Sequence, residues 1–164
     1  MKKFYFIILS CVVLLIHACK PKADIEKETE AIKALIYGET QAFIQNDTAK
    51  VLSYYIQDDY QTRLSASCET IELYKGWKEL SAFFKNNPVG ISNPENTKEF
   101  IQIKVTGDAA WAIYKDNWTY TLSATLSGIA RDTIITTKGF LLCTMNLEKK
   151  LNEWKISSFS IYSY

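Results

Sequence analysis

The sequence predicts a single α+β domain in which helices come first and a long antiparallel sheet follows. A change of period carries that prediction. Between Ala23 and Gln45 the apolar residues recur at helical spacing, and beyond Phe100 they alternate with polar ones, as on a half-buried strand. The punctuation agrees: Gly107-Asp108, Ser127-Gly128 and the polar stretch Glu148–Asn152 divide the later part of the chain into neighbouring strands. Helices gathered ahead of such a meander pack together on one face of its sheet.

Each element has its own justification. In the first helix, from about Ala23 to Gln45, Asp24 is the capping residue. Ile25, Ile32, Leu35, Ile36 and Phe43 form the buried stripe, with Glu26, Lys27, Glu28, Glu30 and Lys33 on the wet side. Asn46-Asp47-Thr48 breaks that helix and caps a shorter one carrying Val51, Leu52 and Tyr55. Tyr60–Ala66 alternates Tyr60, Thr62, Leu64 and Ala66 against Gln61, Arg63 and Ser65, which assigns the second set to a polar, exposed face. Thr70–Tyr74 reads as the return strand. Gly76 then leads into a third helix, Trp77–Lys85, with Trp77, Leu80 and Phe84 on one side. The strands that follow are Phe100–Thr106, Ala109–Ala124, about Asp132 to Leu147, and Glu153–Tyr164. In the last, Trp154 and Ile156 have one parity and Phe159 and Ile161 the other, so a bulge is expected near Ser157-Ser158.

Composition narrows the function classes. The chain of 164 residues is 48% hydrophobic, enough for one domain with a real core. Its 19 Lys and Arg against 18 Asp and Glu give a net +1, which becomes −1 without Lys2 and Lys3, so no basic face is on offer to nucleic acid. The single histidine, His17, falls in the leader described below. The domain therefore lacks histidine, which excludes Ser-His-Asp, Cys-His and His-ligated metal chemistry; no metal and no cofactor are expected. Cys68 and Cys143 are too few for a disulfide scaffold. Cys143, in Phe140-Leu-Leu-Cys-Thr-Met, reads as a small buried hydrophobe.

The start of the chain reads as an address. Met1-Lys2-Lys3 precedes an apolar run, Phe4–Ile16, shorter than the roughly 20 residues of a bilayer span and suited to a signal-peptide core. The run ends in Ile16-His17-Ala18-Cys19, which resembles the bacterial lipobox, with His17 larger than the usual occupant. The resemblance implies a lipoprotein signal peptide over 1–18, a lipidated tether over 19–22 beginning at Cys19, and a domain over 23–164. Acyl chains such as palmitate on Cys19 would hold the protein to a membrane. Lys20 after the cysteine favours the outer membrane of a bacterial cell envelope.

Five local patterns in order give the domain a family resemblance. They are Phe43-Ile-Gln-Asn-Asp-Thr, Tyr54-Tyr-Ile-Gln-Asp-Asp-Tyr, Tyr74-Lys-Gly-Trp-Lys-Glu-Leu-Ser-Ala-Phe-Phe, Val105-Thr-Gly-Asp-Ala-Ala-Trp-Ala and Asn152-Glu-Trp-Lys-Ile-Ser-Ser-Phe. Together they resemble the SnoaL-like, nuclear transport factor 2-like superfamily across nearly the whole mature chain. The resemblance implies a cone-shaped, curved antiparallel sheet packed against three N-terminal helices, an apolar pocket inside the cone, and often a homodimer. The superfamily hosts isomerases, dehydratases, cyclases and silent binders, so it does not by itself give function. Its steroid-isomerase branch uses an Asp base on the first strand, with a Tyr and a protonated Asp as oxyanion hole. The matching positions here fall near Leu64, near Glu39 with Tyr37 close by, and in Phe140-Leu-Leu-Cys143, so that activity does not carry over.

Strand parity supplies the candidate site. With Gly107-Asp108 as a two-residue turn, Val105 pairs with Ala110, Ile103 with Ala112 and Ile101 with Tyr114. The apolar face then continues as Ala110, Ala112, Tyr114, Asp116, Trp118, Tyr120 and Leu122. Asp116 becomes a carboxylate between aromatics on the buried side, suited to acid–base work, to gripping a polar ligand group, or to accepting a bond from Tyr60 or Tyr120. Tyr55 and Tyr60 join it at the ligand mouth. Arg63 has the chemistry to hold an anionic ligand, but its parity places it outside. Asp58-Asp59 reads as a solvated turn. The leading expectation is a lipid-anchored protein whose cone binds a small apolar or amphipathic ligand without catalysis. The alternatives are a cofactor-free isomerase, lyase or cyclase using Asp116 and tyrosines, and a protein-interaction or homodimerisation module using the open sheet face.

Overall fold

The computed structural model describes residues 24–86, 92–125 and 132–163, with the backbone alone at 122–125 and 132–135. The signal peptide, Cys19, the tether, Ser127-Gly128 and the Leu122 side chain lie outside the described residues. The chain forms α1 (Ile25–Ile44), α2 (Thr48–Ser53), β1 (Thr62–Ala66), β2 (Ile71–Lys75), α3 (Gly76–Asn86), β3 (Ser92–Thr106), β4 (Ala109–Thr125), β5 (Asp132–Lys150) and β6 (Glu153–Ser163). The strands make one curved sheet of order β2-β1-β6-β5-β4-β3. Neighbours run antiparallel except β1 and β6, which are parallel.

The helices begin where side chains can satisfy their free N–H groups. Asp24 accepts from the Lys27 N–H at 3.2 Å and Asp47 from the Lys50 N–H at 3.0 Å. Two glycines set how closely the pieces approach. A Cβ on Gly38 would stand 2.5 Å from the Tyr54 hydroxyl, so α1 and the end of α2 pack tightly only without one. Gly76 has φ +75° where β2 turns into α3, a conformation that disfavours any side chain. Ile32, Ile36 and Ala42 of α1, with Leu80 and Phe84 of α3, then close over Ala112, Cys143, Met145, Ile156 and Phe159 of the sheet. The β5–β6 hairpin is stapled to α1 by Glu28, which takes Lys149 Nζ at 2.6 Å and Trp154 Nε1 at 2.7 Å. The Lys149 bond, helped by Trp154, holds the Glu28 carboxyl below its ordinary value. Cys143 is buried, Cys68 is exposed, and the two are unbonded.

Two bulges decide which residues face the helices. In β6 the register moves between Asn146 and Leu147 of β5, leaving Ser157 as the extra residue. This is the bulge that the phase change requires, and it turns Trp154, Ile156 and Phe159 inward together. The second bulge corrects an expectation. β3 starts eight residues earlier than Phe100 (at Ser92), and its register shifts between Phe100 and Gln102. Val105–Ala110 and Ile103–Ala112 pair as expected, but Phe100, not Ile101, faces Tyr114. Ile101 is the extra residue and is 60% exposed. The electrostatic reason is plain: an unbulged strand would set Glu99 against Asp116, whereas the bulge brings Lys98 opposite it.

The parity of β1 is also the reverse of that read from its polarity. Gln61 and Arg63 are buried, while Leu64 is half-buried and Tyr60 exposed. Pairing with β6 sets this, because Arg63 sits beside inward-facing Phe159. The guanidinium carbon lies 4.8 Å from the Phe159 ring centroid, 5.3 Å from Phe84 and 5.4 Å from Phe83. Three aromatic faces therefore stand in for water around the cation.

Candidate functional site

Among the described residues, the interior of the cone holds two acidic side chains, Glu39 and Asp116, and two basic ones, Arg63 and Lys98, in two groups. On β3 and β4, Asp116 is 5% exposed and accepts three bonds: Lys98 Nζ at 2.6 Å, Asn96 Nδ2 at 2.8 Å and Trp118 Nε1 at 2.9 Å. The Lys98 side chain has no exposed surface at all, and its ammonium lies 5.2 Å from the Tyr114 ring centroid. This is a buried, well-satisfied ion pair. The second group joins α1, the end of α2 and β1. Tyr55 donates to Glu39 Oε1 at 2.8 Å and accepts from Arg63 Nη1 at 3.3 Å.

The second group is electrostatically unsettled. Burial pushes the Glu39 carboxyl above its ordinary value of 4.5, against the pull of the Arg63 cation and the Tyr55 hydroxyl. Arg63 makes no ion pair with a carboxylate among the described residues, and its Nε has no hydrogen-bond partner. Just before β1, Gln61 gives its amide N–H to the Thr62 carbonyl, and its Oε1 likewise has no partner. Unsatisfied buried polar atoms are uncommon enough to require a reason. Between the groups, burial raises the phenols of Tyr55 and Tyr114 well above the ordinary value and lifts the Cys143 thiol to about 12, so these remain protonated. Cys143 offers no nucleophile.

Of the residues expected at the site, Tyr55, Tyr114, Asp116 and Trp118 are brought together by the fold. Asp116 is on the buried side, but its partners are Lys98, Asn96 and Trp118 rather than Tyr60 or Tyr120. Tyr60 does not join: it is 51% exposed and donates to Glu148 Oε2 at 3.0 Å. Tyr120 is half-buried farther along β4. Asp58 and Asp59 are exposed, as a solvated turn requires. Arg63, placed outside by its parity, is inside. Glu39, Lys98, Gln61 and Asn96 complete the interior and were not singled out as site residues. Glu39 had a legible signal, since it follows Ile32, Leu35 and Ile36 on the apolar stripe of α1.

This arrangement limits the chemistry on offer. Where a steroid-isomerase base would stand on the first strand, the inward residue is Arg63, a guanidinium that cannot accept a proton. Asp116 is fully engaged by donors. Glu39 is the carboxyl best placed to exchange a proton, through Tyr55. Among the described residues no group of three or more His, Cys, Asp or Glu side chains is gathered as for a metal ion. Two grooves open outside the core. One of about 460 Å³, on the outer sheet face, is lined by Thr97, Lys115, Asn117, Lys138 and Phe140 among others; the second, about 420 Å³, runs between α1 and the β5–β6 hairpin.

No protein-family model matches the sequence, and no curated protein matches it. Solved structures do resemble it in fold. A ketosteroid isomerase-like protein from Erwinia carotovora atroseptica superposes with TM-score 0.61 at 16% identity, covering 82% of this chain and 94% of that one. An NTF2-like protein of unknown function from Shewanella oneidensis gives 0.57 at 21% identity, over 83% and 99% of the two chains. A protein of unknown function with a cystatin-like fold, from Nostoc punctiforme, gives 0.58 at 14% identity, over 83% and 90%. At these identities the likeness is one of architecture: the chain has the NTF2-like, cystatin-like α+β fold, a curved six-stranded sheet closed by its helices.

Proposed function

We propose that this is a lipid-anchored protein of the bacterial cell envelope whose cone binds a small amphipathic ligand. The observation that carries the reading is the buried, incompletely paired polar cluster of Glu39, Tyr55, Arg63 and Gln61 within a largely apolar core. A purely structural interior would gain by replacing such groups with apolar ones, and a wholly apolar ligand would leave them unmet. Lipid anchoring rests on Ile16-His17-Ala18-Cys19, and outer-membrane sorting on Lys20. An isomerase, lyase or cyclase is the second reading, and it rests on Glu39, whose burial favours the proton-bearing form beside the Tyr55 hydroxyl. A homodimer through the outer sheet face is supported by Phe140 and Ile101, both large and exposed there.

Native mass spectrometry of the full chain, extracted from the membranes of its own host, tests these together. The expected spectrum shows an acylated Cys19 and a retained small molecule, with the subunit count read from the same ions. A bare, unacylated chain that stays in the soluble fraction would overturn the anchoring, and an acylated chain with an empty interior would overturn the binding.

A further inference from the structure

We infer that the ligand carries an anionic group, a carboxylate on an aromatic or other apolar body, and that Arg63 is the residue that recognises it. The inference rests on the cone being a binding site and adds the class of ligand. A guanidinium buried to 7% exposure favours a counter-charge, because three aromatic faces and one hydrogen bond replace its water only in part. The chain supplies only part of one. Arg63 reaches Tyr55 through a single 3.3 Å bond, and Glu39 lies one residue farther along that relay. Among the described residues, the interior's other carboxylate, Asp116, is already taken by Lys98 at 2.6 Å.

What Arg63 keeps free is a hydrogen-bond donor, Nε, on the planar fork that suits a carboxylate. The unmet Gln61 Oε1, two residues before Arg63 in the chain, accepts a donor such as a hydroxyl on the same ligand. Phe83, Phe84 and Phe159 surround the guanidinium and would flank the ring or alkyl part of such a molecule. Phe83, on α3, is half-buried, whereas Phe84 and Phe159 are buried. The other interior cation, Lys98, has its anion in place, so one free anion site is left inside the described core.

The test compares benzoate with its neutral isostere benzamide, titrated by NMR against the full chain in detergent and against Arg63→Met and Lys115→Met. Benzoate is expected to bind the wild type at least roughly tenfold tighter than benzamide, about 1.4 kcal/mol. That advantage should vanish in Arg63→Met and persist in Lys115→Met, whose lysine lies in the outer groove. Equal binding of the two probes inside the cone would overturn the anion assignment and leave the binding site standing. A benzoate preference that survives Arg63→Met, or that Lys115→Met abolishes, would overturn the role of Arg63. Failure of both probes at millimolar concentration, with an empty interior in the host-extracted protein, would overturn the binding site itself.

Discussion

Glu39 is where the sequence and the site meet most sharply. It occupies a position on α1 that helical spacing gives to an apolar residue, and the fold buries it to 5% exposure with one phenol as direct partner. Desolvation raises its pKa in the folded chain, whereas the unfolded chain titrates near 4.5. Between those values the folded form holds a proton that the unfolded form has lost. Stability must therefore fall as pH rises through that window, while below 4.5 both forms are protonated and the effect vanishes. Glu39→Gln removes this dependence and keeps an oxygen for the Tyr55 hydroxyl. In denaturant unfolding from acid to neutral pH, the variant is expected to gain on the wild type steadily as pH increases. A difference that stays constant with pH would mean that Glu39 titrates alike in the folded and unfolded chain, and would contradict the raised pKa.

The elements were legible in outline, and the faces they present were less so. Period and caps located three helices, six strands and the Ser157 bulge, because each leaves a local mark: Asp24 and Asp47 as caps, Gly107-Asp108 as a turn, the parity change across Ser157. The inward face of β1 was misread for a physical reason. Polarity assigns Gln61 and Arg63 to water, but their neighbours are set by pairing with β6 and by three phenylalanines distant in sequence. Lys98 was missed likewise, since the bulge at Ile101 answers to a charge on another strand. Deleting Ile101 removes the extra residue without altering which residues face β4, so the variant should fold cooperatively and keep the Lys98–Asp116 pair. Deleting Ile113 from the facing strand shifts Asp116 and everything beyond it by one position against β5, and should abolish folding. Circular dichroism with denaturant titration distinguishes the two, and equal loss in both would show that the bulge carries no register.

At the scale of the molecule, a small cone spends stability on charge. Its core is apolar across Ile32, Ile36, Ala112, Met145 and Ile156, yet it encloses Glu39, Arg63, Lys98 and Asp116. The Lys98–Asp116 pair is complete and explains itself as packing. The Glu39–Tyr55–Arg63 group does not, and under the proposed function it persists because a ligand completes it. The most direct measurement is the unfolding free energy of the double variant Glu39→Gln, Arg63→Met beside the wild type, both free of ligand at neutral pH. If the group serves binding, the variant is more stable by about 1–4 kcal/mol, the usual gain when buried charges give way to well-packed neutral side chains. If the variant is instead less stable than the wild type, the charges hold the fold together, and the interior of the cone is a core and not a binding site.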